Sequence, residues 1–241
     1  MQYALAIARR ELRTYFHSPI AYIFLGVFLA LGGILLFILS GFFIQGRASM
    51  RAYFDWAPLL FTLLAPAVTM RLIAEERRSR TLEVLLTLPV TDWQVVVGKF
   101  LGAMGLIAIG LLLTLVYPVS ISMLVAEGFS FDWGPVVGGY LGTFLMSASF
   151  VAVGMWASAM TQDQVVAFIL GLVMCLVGVL VGKVAILFPP SVAGLVEYLS
   201  VSTHFESIAR GVIDSRDLIY FLSLIAAGLA LTTRALGRVR Q

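Results

Sequence analysis

The side chains able to do chemistry gather in one stretch, Met70 to Lys99, MRLIAEERRSRTLEVLLTLPVTDWQVVVGK. Arg71, Glu75, Glu76, Arg77, Arg78, Arg80, Glu83, Asp92 and Lys99 all lie there, in the one long polar interruption of an apolar chain. No catalytic constellation is present. Mixed charges at this density instead suit electrostatic docking, which steers association more than it adds affinity. The other candidates fail individually. His17 and His204 are expected on opposite sides of a membrane and so cannot share a metal. The run Gly178-Val-Leu-Val-Gly182-Lys183-Val184 has the outline of a phosphate-binding loop. Its spacing is wrong, and no Ser or Thr follows the lysine. The chain is therefore expected not to be an enzyme and to bind no metal, ATP or other cofactor itself.

The elements that must position this stretch are membrane spans. The 241 residues are 61% hydrophobic and 12% charged, with mean hydropathy +1.01. Soluble domains carry roughly 25% charged residues, because much of their surface must face water. The net charge of +3 implies no nucleic-acid partner. The lone Cys175 cannot form an intrachain disulfide. No cleavable leader is expected, since the first apolar run begins near Ile20 and is too long for one.

The predicted fold class is an all-α polytopic membrane protein with six transmembrane helices, read as a single transmembrane domain over residues 1–241. Residues 1–17 form an amphipathic interfacial helix, with Ala4, Leu5, Ala8, Leu12, Tyr15 and Phe16 at helical spacing and Arg9, Arg10 and Arg13 elsewhere. Ser18-Pro19 starts the next helix as N-cap and first helical position. Spans are expected at 20–44, 56–73, 95–126, 136–160, 165–187 and 218–233, since about 20 apolar residues cross the hydrocarbon core. Pro66 should kink the second, and Tyr117-Pro118 should bend the third. The sixth looks short, with Tyr220 and Arg234 as interfacial anchors. Residues 188–217 should form one or two short helices that do not cross, with Thr203-x-x-Glu206 as a capping box and Asp214 as the next N-cap.

Six spans put both termini on one side. Arg9, Arg10, Arg13, Arg71, Arg77, Arg78, Arg80, Lys99, Arg234, Arg238 and Arg240 share it; the other side has only Arg47, Arg51, Lys183, Arg210 and Arg216. The positive-inside rule makes the first side cytoplasmic and the 188–217 segment external. Lys183 is the one candidate for a charge inside the spans, and it is expected to snorkel to the outer headgroups. Ion-coupled carriers keep charges inside the bundle, so the energy for any movement must come from elsewhere. The glycine pairs Gly98/Gly102, Gly138/Gly142 and Gly178/Gly182 allow close helix packing, within the chain or across a dimer seam.

Residues 74–92 then read as a cytoplasmic coupling segment. Leu82, Leu85, Leu86 and Leu88 recur at near-helical spacing among the charges, and Pro89 and Thr91-Asp92 punctuate them. The run from Glu75 to Val90, EERRSRTLEVLLTLPV, resembles the loop between spans two and three of ABC-2 type exporter permeases. That loop commonly reads Glu-x-x-Ser-Gly-Thr-x-Glu-x-Leu-x-x-x-Pro, and Arg80 stands where the family often has glycine. Thr161-Gln162-Asp163-Gln164 resembles the family's turn between spans four and five. The segment from Ser202 to Asp214 resembles the external segment of the gliding-motility and nitrous-oxide-reductase-maturation branch. The resemblance implies a permease that pairs with a second permease, alike or not, and with two separate ATP-binding subunits that hold the ATP and Mg. It implies Glu75, Glu76, Arg77, Arg78, Arg80 and Glu83 as motor contacts, with Asp163 as a lesser one. It also implies a multi-pass location in the bacterial inner membrane and room for a periplasmic accessory protein. A module that transmits force to an external partner, without moving a solute, is the other reading.

Overall fold

The computed structural model of the chain describes residues 2–39, 49–81, 90–124, 131–185 and 189–238; every regular element among them is helical. Six helical stretches are long and apolar enough to cross a bilayer: Pro19–Leu39, Arg51–Arg78, Asp92–Leu124, Trp133–Met160, Gln164–Val184 and Ser215–Gly237. The all-α polytopic architecture is as expected from hydropathy.

Helix α1 (Gln2–His17) buries Ala4 and Tyr15 and leaves Arg9, Arg10 and Arg13 exposed. Helix α2 (Pro19–Ile34) begins after Ser18, whose extended backbone marks the N-cap. The Ser18 hydroxyl donates back to the Tyr15 carbonyl instead of capping a backbone N–H. α2 ends in a π-helical turn, Leu35–Leu39, and the remainder of the expected first span lies outside the described residues. Helix α3 (Arg51–Thr69) contains Pro58 and Pro66 and gives way at Met70 to a turn and the short α4 (Ala74–Arg78).

Helix α5 (Asp92–Thr114) starts at a capping box: Thr91 accepts from the Gln94 N–H, and the Gln94 side chain accepts from the Thr91 N–H. It breaks at Leu115, just ahead of Tyr117-Pro118, and continues as α6 (Val116–Leu124). Pro118 has no N–H for the carbonyl of Thr114 four residues back, and its ring crowds that carbonyl.

Helix α7 (Trp133–Met160) is the centre of the bundle. It touches α3, α5, α8 (Gln164–Val184), α10 (Val201–Ala209) and α11 (Ser215–Gly237). Its small residues make this possible: Gly154 faces Thr69, Gly139 faces Phe54, and Ala152 meets Gly228 of α11. Its buried Thr143, Ser147 and Ser149 donate to their own helix's carbonyls, so none of the three needs a partner from a neighbour.

Two expectations at the far end need correction. The sixth span is not short: α11 has 23 residues, because Asp214 caps it and Asp217 in its first turn is buried against a partner. At the same end the Tyr220 hydroxyl donates to the Leu199 carbonyl. Thr203-x-x-Glu206 is no capping box, since α10 begins two residues earlier, after Ser200. Val201, Phe205 and Ile208 fall on one helical face and are all buried, which fixes the helix start by packing instead of capping.

Candidate functional site

The polar residues of the first, charged stretch converge where α1, α4, α5 and the end of α7 meet. α1 runs parallel to the opening turns of α5 with almost nothing between the backbones. A Cβ at Gly98 would stand 2.7 Å from Ile7 Cβ and 2.8 Å from the Ala4 carbonyl oxygen, and one at Gly102 would stand 2.6 Å from Glu11 Cβ. The first of the three glycine pairs therefore seats the N-terminal helix, and in doing so delivers Glu11 to α5.

Lys99 lies between those glycines and is 1% exposed. Its Nζ donates to Glu11 Oε1 at 2.9 Å and sits 2.7 Å from Glu76 Oε1. One ammonium thus serves two carboxylates from two other elements. Burying an ion costs several kcal/mol unless it is paired, so the pairing is obligatory. The second oxygen of Glu76 is buried without a partner.

The chain just before α4 is built onto α7. Ser158 Oγ accepts from the N–H groups of Ile73 (3.3 Å) and Ala74 (3.0 Å) and donates to the Met70 carbonyl at 3.0 Å. One hydroxyl so satisfies three backbone groups that the break between α3 and α4 would otherwise orphan. Arg77 Nη1 donates to the Ala159 carbonyl at 2.6 Å, a cation on the carbonyl end of a helix. Arg71 grips Glu75 with two bonds, Nε to Oε2 at 2.7 Å and Nη2 to Oε1 at 3.2 Å. The Tyr15 hydroxyl donates to the Val68 carbonyl at 2.8 Å; burial, and next the nearby Glu11 carboxylate, push its pKa up. A cavity of about 260 Å³ opens between these groups, with Arg10, Arg71, Glu75 and Glu76 on its walls.

The residues expected to contact a motor therefore divide. Glu76 and Arg77 point inward and hold the segment to α5 and α7, and Glu75 is half-buried in its pair with Arg71. Arg78 and Arg80 are exposed. Glu83 lies outside the described residues, as do Leu82, Leu85, Leu86 and Leu88. Asp163 is exposed and caps α8, accepting from the N–H groups of Val165 and Val166. Arg80 has φ of +57°, the left-handed conformation that glycine adopts freely and that costs other residues about 1–2 kcal/mol. The backbone here keeps a glycine geometry although an arginine occupies it.

Gly138, Gly142, Gly178 and Gly182 all serve packing within the chain. Gly138 and Gly142 receive Ile208 and Phe205 of α10, while Gly178 and Gly182 face Val201 and Ser200 at its start. Lys183 is exposed at the end of α8. The buried charges of the described spans are instead Lys99 and Asp217. Asp217 Oδ1 is 2.6 Å from His204 Nδ1, and His204 Nε2 donates to the Tyr198 carbonyl at 2.8 Å, with the ring stacked on Tyr220 at 4.0 Å. His17, at the other end, bonds the Arg13 carbonyl in its own helix.

Glu11 and Ser158 were not legible as site residues. The one sequence signal for Glu11 is a carboxylate on an otherwise basic helix face, opposite a lysine flanked by Gly98 and Gly102. Ser158 carries no signal, because its role depends on where another helix breaks.

The sequence profile of ABC-2 family transporter proteins matches residues 41–231. This chain belongs to that family. The matched range holds Glu76, Lys99 and Ser158, while Glu11 lies ahead of it. An ABC-2 family member with six apolar spans is a multi-pass membrane permease subunit of an ABC transporter, a class that associates with ABC ATP-binding subunits. Among curated proteins, no significant match to the sequence is found.

Proposed function

We propose that this permease subunit converts ATP hydrolysis by two separate cytoplasmic ATP-binding subunits, which hold the ATP and Mg, into substrate movement out of the cytoplasm. The observation that carries this reading is the seating of the 71–81 segment. Ser158, Arg77 and Glu76 tie its root to two spans, while Arg78 and Arg80 stay exposed at its tip. A short segment rooted in buried bonds transmits force, whereas a solvated loop would absorb it. The basic residues on this end make it cytoplasmic, with both termini there, in the bacterial inner membrane. A second permease, alike or not, completes the assembly. Thr62, Thr69, Thr114, Thr143 and Thr232, buried in the described spans, each donate to a carbonyl of their own helix, which supports a route between subunits.

The force-transmitting alternative has its own support. α7 carries the segment's seat at Ser158 and Ala159 and, near its other end, the glycine face that holds α10. One helix of 28 residues, about 42 Å at 1.5 Å per residue, therefore links the two ends directly. A periplasmic accessory protein on α9 (Pro190–Tyr198) and α10 would feel such a movement. The gliding-motility and nitrous-oxide-reductase-maturation branch is the branch proposed.

Arg78→Glu with Arg80→Glu should weaken pull-down of the ATP-binding subunit at least tenfold and abolish its coupled ATPase stimulation. Unchanged capture and stimulation would refute docking through this segment.

A further inference from the structure

The Glu11–Lys99–Glu76 cluster holds more ions than a static staple needs. One pair would neutralise Lys99, yet two carboxylates converge on it, at 2.9 and 2.7 Å. The two are not equivalent. Glu11 is locked in place, because α1 lies against Gly98 and Gly102 too closely for any side chain between them. Both carboxylates border the 260 Å³ cavity, but Glu76 sits on a five-residue helix, is the more exposed of the two at 20% against 15%, and keeps one buried oxygen with no donor.

We propose that Lys99 is the positioning residue of an ionic clutch: Glu11 neutralises it permanently, and Glu76 engages and releases it as α4 moves. Losing a sole partner would strand a buried cation, which is strongly unfavourable. With Glu11 fixed in place, Lys99 stays paired after Glu76 departs, so the barrier to moving α4 is lowered. Glu76, meanwhile, trades an orphaned oxygen for hydration in the cavity. The clutch makes α1 and α5 one body and α4 the part that shifts against it. It rests on the coupling role proposed above for the 71–81 segment.

The test places spin labels at Thr14→Cys and Ser79→Cys, both exposed, in the full complex with its co-purified ATP-binding subunits. Cys175 is buried. Pulsed EPR should give two distances, differing by several ångströms, in the nucleotide-free and ATP-vanadate-trapped states. Glu76→Gln should give the released distance in both states, and Glu11→Gln should hold the engaged distance in both, because Glu76 is then the sole partner of the buried Lys99. A single distance in both states from the parent complex, hydrolysing ATP, or a shift that persists in Glu11→Gln, would overturn the clutch and leave the coupling role standing. If no ATPase co-purifies, the coupling role fails by itself. The isolated chain then decides: Glu76→Gln lengthens the Thr14–Ser79 distance and Glu11→Gln does not, and equal distances in the two variants would overturn the proposal.

Discussion

Lys99 is the residue on which the polar site turns, and its value comes from burial. An exposed lysine between two glutamates would contribute about 0–1 kcal/mol. At 1% exposure it is instead required, since removing it leaves two largely buried carboxylates facing one another with no cation between them. Lys99→Met should therefore destabilise the subunit by about 3–5 kcal/mol, read as loss of the folded peak by fluorescence-detected size exclusion. The triple variant Glu11→Gln, Lys99→Met, Glu76→Gln should recover most of that stability, because neither carboxylate then remains charged. Failure of the triple to recover would mean that packing, not charge, makes Lys99 necessary. Ser158 makes a related point with a neutral group: one hydroxyl serves three backbone atoms that a helix break would leave bare.

Among elements, α7 is the one the others are arranged on. Its glycine face accepts α10, where Phe205 and Ile208 fill the space over Gly142. Gly142→Leu should push α10 off α7 and cost several kcal/mol, in the range of overpacked cores or above it. The readout is a lowered thermal midpoint of the purified subunit, with reduced protection of residues 201–209 in hydrogen exchange. Gly26, where an added Cβ would meet nothing within 4 Å, tolerates alanine by the same measurement. The glycine pairs themselves were visible by spacing. Their partners were not, because a four-residue repeat of small residues says that something packs closely without saying what.

For the whole molecule, the arrangement has two polar ends and an apolar middle. The end with α1 and α4 carries the clutch, and the opposite end carries His204, Asp217 and Tyr220 as the anchor of α9 and α10 to α11. The topology proposed here makes Thr203, exposed at that opposite end, reachable from outside the cell. Thr203→Cys should react with a membrane-impermeant maleimide in intact cells, while the buried Cys175 should not react in the parent chain. Labelling of Ser79→Cys instead of Thr203→Cys would invert the orientation and with it the site of motor contact.

Hydropathy by itself determined the six spans, the helical class and the place of the polar stretch, because burying a backbone in lipid leaves few alternatives and each shows locally in composition. Helix N-caps at Asp163 and Asp214 and the turn at Thr91 are equally local; Asp214 reads as a cap from its sequence, whereas Asp163 reads there as a motor contact. Tertiary structure alone decided that Glu76 and Arg77 face inward while Arg78 and Arg80 do not. It also decided that Glu11 and Lys99 meet 88 residues apart in sequence, and that α11 extends to include a buried aspartate. A charged residue looks the same in a sequence whether water or another charge neutralises it. Only the packing of α1 against Gly98 and Gly102 removed the water and made the ion pair necessary.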